Sequence, residues 1–233
     1  AGTMSRFDIK MELRENPEPP VQPEGDELVW NNGKMKVVIN LHTGLIDSYE
    51  ADGRVGLGKG SFAPLAIKDD ENSWAHKEKS FRNIKGEFTL MDEEKAAEFS
   101  GIINGSRPHS VRIIEDGAVR TVVEALFYYH DSFLARRYYL PKNSSDFTVR
   151  DKVYWNEKMT MLKLSLRTVD GDIFIGQTAY GSETLLTNGD EMVSQKWNLV
   201  SDGKTALTVI NSSTYGSDYK DGELRITCLR SPG

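Results

Sequence analysis

The chain has 233 residues, with 29 Lys and Arg against 35 Asp and Glu and a net charge of -6. That length suits one large all-β domain or two smaller domains with ample core. The scattered basic residues exclude the clustered cationic surface that nucleic acid requires. No apolar run approaches the ~18 residues of a membrane span and no signal peptide is visible, so a cytoplasmic protein without a membrane partner is expected.

Ala1-Gly2-Thr3 ahead of Met4 reads as a cloning remnant. Residues 14–27, RENPEPPVQPEGDE, are proline-rich and acidic. Pro17, Pro19, Pro20 and Pro23 fix φ and remove donors, which favours an extended linker. Residues 1–27 are therefore expected to tether the body, residues 28–233, to something upstream; a disordered terminus of a complete protein is the alternative.

From Trp30 the pattern turns to period two. Met35, Val37, Ile39 and Leu41 alternate with polar residues, as on a half-buried strand. GRVGLGKGS at 53–61 lacks the Walker spacing and is expected to be a flexible loop. In IKDDENSWAHKEKSF, residues 67–81, Asp69, Asp70, Glu71 and His76 cluster beside Trp74. An acidic loop anchored by Trp74 and Phe81 is preferred there to a cation or sugar site. Asp92 to Phe99, with acids in the first turn, is the only helical stretch.

Four strand patterns follow: Val119–Tyr129, Phe133–Leu140, Phe147–Trp155 and Met159–Thr168. The adjacent Arg136 and Arg137 read as a solvated rim. Asp-Gly pairs at 52, 116, 170, 202 and 221 and Asn-Gly pairs at 32, 104 and 188 tolerate the positive φ of hairpin turns, so an antiparallel meander is expected. Together the strands and turns predict an all-β fold, a large antiparallel β-sandwich, with a strict barrel as the competitor.

Residues 220–233, KDGELRITCLRSPG, put a turn before a strand from Leu224 to Arg230. Leu224, Ile226, Cys228 and Arg230 share a parity, so strict alternation places Arg230 on the core face, where a cation requires a partner. Cys228 is the only cysteine, which excludes an internal disulfide and a Cys-cluster zinc site; it is expected to be a small core residue. His42, His76, His109 and His130 form no dense metal motif, and His130-Asp131 suits a turn. Trp30, Trp74, Trp155, Trp197, Tyr180 and Tyr215 could stack on sugars, although buried sandwich aromatics are commoner. The residues alone reach a β-sandwich with a possible carbohydrate connection.

A string of motifs goes further. EDGAVRTVV (115–123), VYWNEKMTMLKLSL (153–166), QTAYGSE (177–183), QKWNLVSDG (195–203) and YGSDYKDGELRITCLRSP (215–232) resemble, in order, the C-terminal β region of bacterial glycoside hydrolase family 38 α-mannosidases. NNGKMKVVINLHTGLIDSYEADGR (31–54) resembles its opening strands and DDENSWAHKEKSF (69–81) its Asp-rich tryptophan loop. The resemblance implies a galactose-mutarotase-like supersandwich and a parent that hydrolyses α-mannosides with retention. That parent uses zinc and a carboxylate nucleophile in an N-terminal catalytic domain, followed by a helical domain. The family's zinc-binding His-x-Asp motif has no counterpart here, so no catalytic or metal residue is carried over and the chain alone is expected to be inactive. An arginine on a late strand approaches the sugar in such enzymes, and Arg230 occupies a similar position. A salt bridge to a loop carboxylate within this domain is the alternative. A stand-alone carbohydrate-binding sandwich and a mutarotase-type isomerase remain as other functional readings.

Overall fold

A computed structural model of the protein describes residues 4–12, 18–74, 77–102, 105 and 107–232. These form β1 (Glu27–Asn31), β2 (Met35–Asn40), β3 (Ile46–Ala51), β4 (Arg54–Leu57), β5 (Ala63–Lys68), β6 (Ile84–Glu87) and β7 (Thr89–Leu90). Helix α1 (Glu93–Ser100) follows, then β8 (Val111–Asp116), β9 (Arg120–Tyr129), β10 (Ser132–Pro141), β11 (Thr148–Tyr154) and β12 (Thr160–Arg167). The last strands are β13 (Ile173–Thr178), β14 (Gly181–Thr184), β15 (Met192–Val193), β16 (Trp197–Ser201), β17 (Ala206–Ile210), β18 (Gly216–Lys220) and β19 (Glu223–Ser231). They assemble into four antiparallel sheets, ordered β1-β2-β3-β4, β11-β10-β9-β7 with β8 also on β9, β15-β18-β19-β12-β5-β6, and β14-β13-β16-β17.

One apolar core joins all four sheets. It takes Val37 and Ile39 from β2, Phe127 from β9, Leu162 and Leu166 from β12, Phe174 from β13, Val200 from β16 and Leu224 from β19. The inward parity of each strand supplies these residues, as the period-two pattern predicts. β9 is buried on both sides because α1 covers its outer face, with Ala96 and Phe99 packed against Leu126, Tyr128 and Phe133. The helix starts one residue after the expected Asp92, which caps it: the Asp92 carboxylate accepts from the Lys95 amide at 2.8 Å. It ends at Gly101 in the left-handed region.

The turn pairs do their expected work at several hairpins. Asp52 and Gly53 have φ of 51° and 72°, Asp221 and Gly222 50° and 72°, and His130 at the β9–β10 turn has φ 47°. Asn104 lies outside the described residues. A simple meander holds for β1–β4 but fails in the six-stranded sheet, where β12 sits between β5 and β19. Alternation fixes which face a strand buries and says little about its lateral neighbour.

Two expectations are overturned. Residues 54–57 of the glycine-rich stretch form β4, not a flexible loop. Gly56 fits there because an added Cβ would lie 3.2 Å from the Tyr49 ring and 3.3 Å from Leu207. Arg136 and Arg137 are not a solvated pair: neighbours on a strand point to opposite faces. Arg137 lies outside and bonds Glu124 at 2.9 Å. Arg136 shares the core parity of Leu134 and Tyr138 and is 0% exposed. Its fork grips Asp151, directly opposite on β11, at 2.8 and 2.7 Å, and also donates to the Phe62 carbonyl. Burial alone would lower the guanidinium pKa; the Asp151 charge overcomes this and holds it above the usual arginine value.

Candidate functional site

The site expected from sequence centres on β12 and β19. On β12, Leu162, Leu164 and Leu166 pack toward the core, and Met161, Lys163, Ser165 and Arg167 take the other face. The ladder pairs Glu223 with Arg167, Arg225 with Ser165 and Thr227 with Lys163, and then skips, so that Leu229 meets Leu162 and Arg230 meets Met161. Cys228 is the surplus residue of a β-bulge. Arg230 therefore does not share the core face of Leu224 and Ile226, which corrects the parity expectation. It stands on the outer face with Met161, Lys163 and Thr227. Cys228 and Leu229 both pack against the core, so their apolar character gives no warning of the extra residue.

Arg230 reaches back to the acidic loop. Its Nε donates to Asp69 Oδ1 at 3.0 Å and its Nη2 to the same oxygen at 2.5 Å; Nη1 donates to the Ser73 carbonyl at 3.3 Å. The guanidinium lies 5.3 Å from the Phe81 ring centre. Asp69 is buried, whereas the Arg230 side chain stays 24% exposed. The loop carboxylate weighed as a partner from sequence is thus in place. Phe81 packs on Leu65, Ile67 and Met161 and anchors the loop. Trp74 is 88% exposed and cannot share that role, contrary to expectation. A cavity of about 220 Å³, lined by Lys68, Asp69, Asp70, Glu78, Phe81 and Asn83 among others, opens beside the ion pair.

Further along the same face lies a charged network that the sequence reading missed. Buried Lys163 donates to Asp218 Oδ2 at 2.5 Å and to Glu191. Arg82 spans Asp218 and Glu223, meeting the latter at 2.5 Å. Glu223 also receives Ser165 and, at 2.9 Å, Arg225. Thr227 donates to Glu191 at 2.5 Å. Cations and carboxylates are matched, so each buried charge has a counter-charge at hydrogen-bond distance. Burial acts to raise the Glu223 pKa, and the bonds from Arg225 and Ser165 outweigh it and hold the carboxyl below the usual range. Only Arg225 is incomplete: its Nε and Nη1 are buried without a partner. The available signal was the outward parity of two strands, Lys163-Ser165-Arg167 and Glu223-Arg225-Thr227, which gathers polar and charged residues on one face, with Arg167 opposite Glu223.

The remaining candidates are scattered. His42 meets Asp26 at 2.7 Å, His109 meets Glu93 at 2.8 Å and His130 meets Glu157 at 3.3 Å, all on the surface and on separate elements. His76 lies outside the described residues. Among the described residues no group of three or more His, Cys, Asp or Glu is placed to hold a metal ion. The Cys228 thiol is pushed up to about 12, first by burial and then by the nearby Asp151 charge, which makes it a poor nucleophile. Trp30 is buried and donates to Thr121 at 3.0 Å; Trp155 is half-buried, stacked on Phe88, and donates to Ser231 at 3.0 Å. Trp197 is half-buried at the start of β16, while Tyr180 and Tyr215 are exposed. No helix of the described residues is long and apolar enough to cross a membrane.

A large antiparallel β-sandwich, with its buried charges paired among themselves, is the class of domain that fold and site define. Residues 30–233 match the family described as glycosyl hydrolases family 38 C-terminal domain, and the chain belongs to that family. Among solved structures it is similar to an alpha-mannosidase from Enterococcus faecalis V583, with 11% identity and a TM-score of 0.67 over 92% of this chain and 27% of that one. It is also similar to a protein in the glycosyl hydrolase family 38 from Enterococcus faecalis, with 11% identity and a TM-score of 0.66 over 92% of this chain and 28% of that one. The likeness at this identity is one of fold, and the chain spans less than a third of either structure. No curated protein sequence matches the chain.

Proposed function

We propose that the chain is the accessory C-terminal β domain of a cytoplasmic retaining α-mannosidase of mannose metabolism, inactive by itself. The observation that carries this reading is the family match across residues 30–233, in a domain whose described residues offer no converging metal donors. The zinc and the carboxylate nucleophile of such an enzyme would belong to an N-terminal catalytic domain, against which this domain packs beside a helical one. In this reading Arg230 helps complete the sugar site. Its position at the end of β19 and its partly exposed fork, steadied by Asp69 and Phe81, support that role. Asp69 and the Ser73 and Asn72 carbonyls hold the fork in place, and a sugar hydroxyl would take the remaining Nη1 donor or replace one of the longer carbonyl contacts.

The isolated chain is expected to show no turnover of an aryl α-mannoside with added zinc, and robust turnover would refute the accessory role. In the intact enzyme Arg230→Ala should lower kcat/KM about 10- to 100-fold, the loss of one charged contact. Unchanged kinetics would leave Arg230 with Asp69 alone. Exposed Trp74, Tyr180 and Tyr215 favour one second reading, a carbohydrate-binding module, which glycan-array binding by the isolated chain would support.

A further inference from the structure

Residues 4–12 lie ahead of the matched domain and form no regular structure. Their sequence is nevertheless that of an amphipathic strand. Phe7, Ile9 and Met11 alternate with Arg6, Asp8, Lys10 and Glu12. The three apolar side chains are 84%, 87% and 91% exposed, an apolar row that no described residue covers. The charges share the other face, where Arg6 meets Asp8 at 3.3 Å and Lys10 meets Glu12 at 3.1 Å.

The order of those charges, plus, minus, plus, minus, makes the segment complementary to itself in one arrangement. In an antiparallel pair centred on Ile9, Arg6 faces Glu12, Asp8 faces Lys10, Phe7 faces Met11 and Ile9 faces its own copy. Sliding by two residues keeps the faces but sets Arg6 against Lys10 and Asp8 against itself, or Asp8 against Glu12 and Lys10 against itself. Parallel in-register pairing sets every charge against its like. Opposite charges across a ladder stabilise and like charges oppose, so one register stands out.

We propose that residues 6–12 are a dimerisation strand that pairs antiparallel, about a two-fold axis at Ile9, with the same residues of a second copy of this chain. The interface is isologous, each contact occurring twice. Pro19, Pro20 and Pro23 favour an extended connector ahead of β1, which gives two bodies room to flank the ribbon. A two-stranded ribbon is marginal by itself, so the dimer is expected to be weak.

Sedimentation equilibrium on the 233-residue chain tests the pairing. From about 10 µM to about 1 mM, the range a marginal ribbon allows, the mass should rise from monomer toward dimer. The chain lacking residues 1–12 should stay monomeric. Asp8→Lys and Lys10→Asp, each creating two like-charge contacts by symmetry, should each weaken dimerisation about tenfold or more. The double variant Asp8→Lys/Lys10→Asp rebuilds the pairs with their signs exchanged and should restore it. These positions are exposed, so the β body folds in every variant, which its unchanged circular dichroism would verify. A monomer throughout the range overturns the proposal. So does a dimer that survives loss of residues 1–12, or a double variant no better than the singles.

Discussion

Arg136 shows how far one buried charge depends on one partner. Its guanidinium lies in the apolar core, with Asp151 opposite and the Phe62 carbonyl beyond. Arg136→Met should cost about 3–5 kcal/mol in urea titrations, because Asp151 is left without its counter-charge. Arg136→Met/Asp151→Leu should recover most of the loss, since both desolvation penalties disappear. Glu223 gives a pH signature. Its folded-state pKa is depressed, so its contribution is fully present above the ordinary carboxylate range near ~4.3 and is lost as pH falls through the lower folded value. Glu223→Gln should accordingly lose less stability than the parent chain between about pH 6 and pH 3, measured by urea midpoints at each pH.

At the scale of elements, β19 carries the main lesson. Its bulge lets Thr227 face Glu191 and Arg230 face Asp69 although Cys228 stands between them. Deleting Cys228 should leave a regular ladder with both contacts intact and cost only about 1–2 kcal/mol of packing. Arg230→Ala would then destabilise the deletion variant as much as the parent, whereas no effect in the deletion background would mean that the bulge sets the Arg230 position. The long strands β2, β9–β12 and β19, the short helix and several hairpin turns were legible in the sequence because each rests on local chemistry: parity, acids in a first helical turn, Asp-Gly pairs. The bulge was not, because Cys228 and Leu229 are both acceptable in a core. The Lys163–Asp218–Glu191–Arg82 cluster was equally hidden. Its members lie on β12, β18 and two loops, and only the sheet order brings them together. Arg230 was singled out as a cation in need of a partner by a parity argument that the bulge overturns; its face and the identity of Asp69 needed the three-dimensional ladder.

At the scale of the whole molecule, the described residues ahead of β1 meet the β body at few points. Gln22 touches the body, donating to the Ile113 carbonyl at 3.0 Å and accepting from its amide at 2.9 Å along the free edge of β8. Removing residues 1–17 should leave the melting of a dilute sample unchanged, and removing residues 1–25 should cost about 1–3 kcal/mol through those two bonds. The order of the six-stranded sheet has a further consequence for biosynthesis. β5 is made well before the β12 it needs, and β12 in turn needs β19, whose last residue is Ser231. The sheet therefore cannot close until β19, far downstream of β5, has been made. The apolar side of β5 must wait until then, an interval in which nascent β proteins need chaperones.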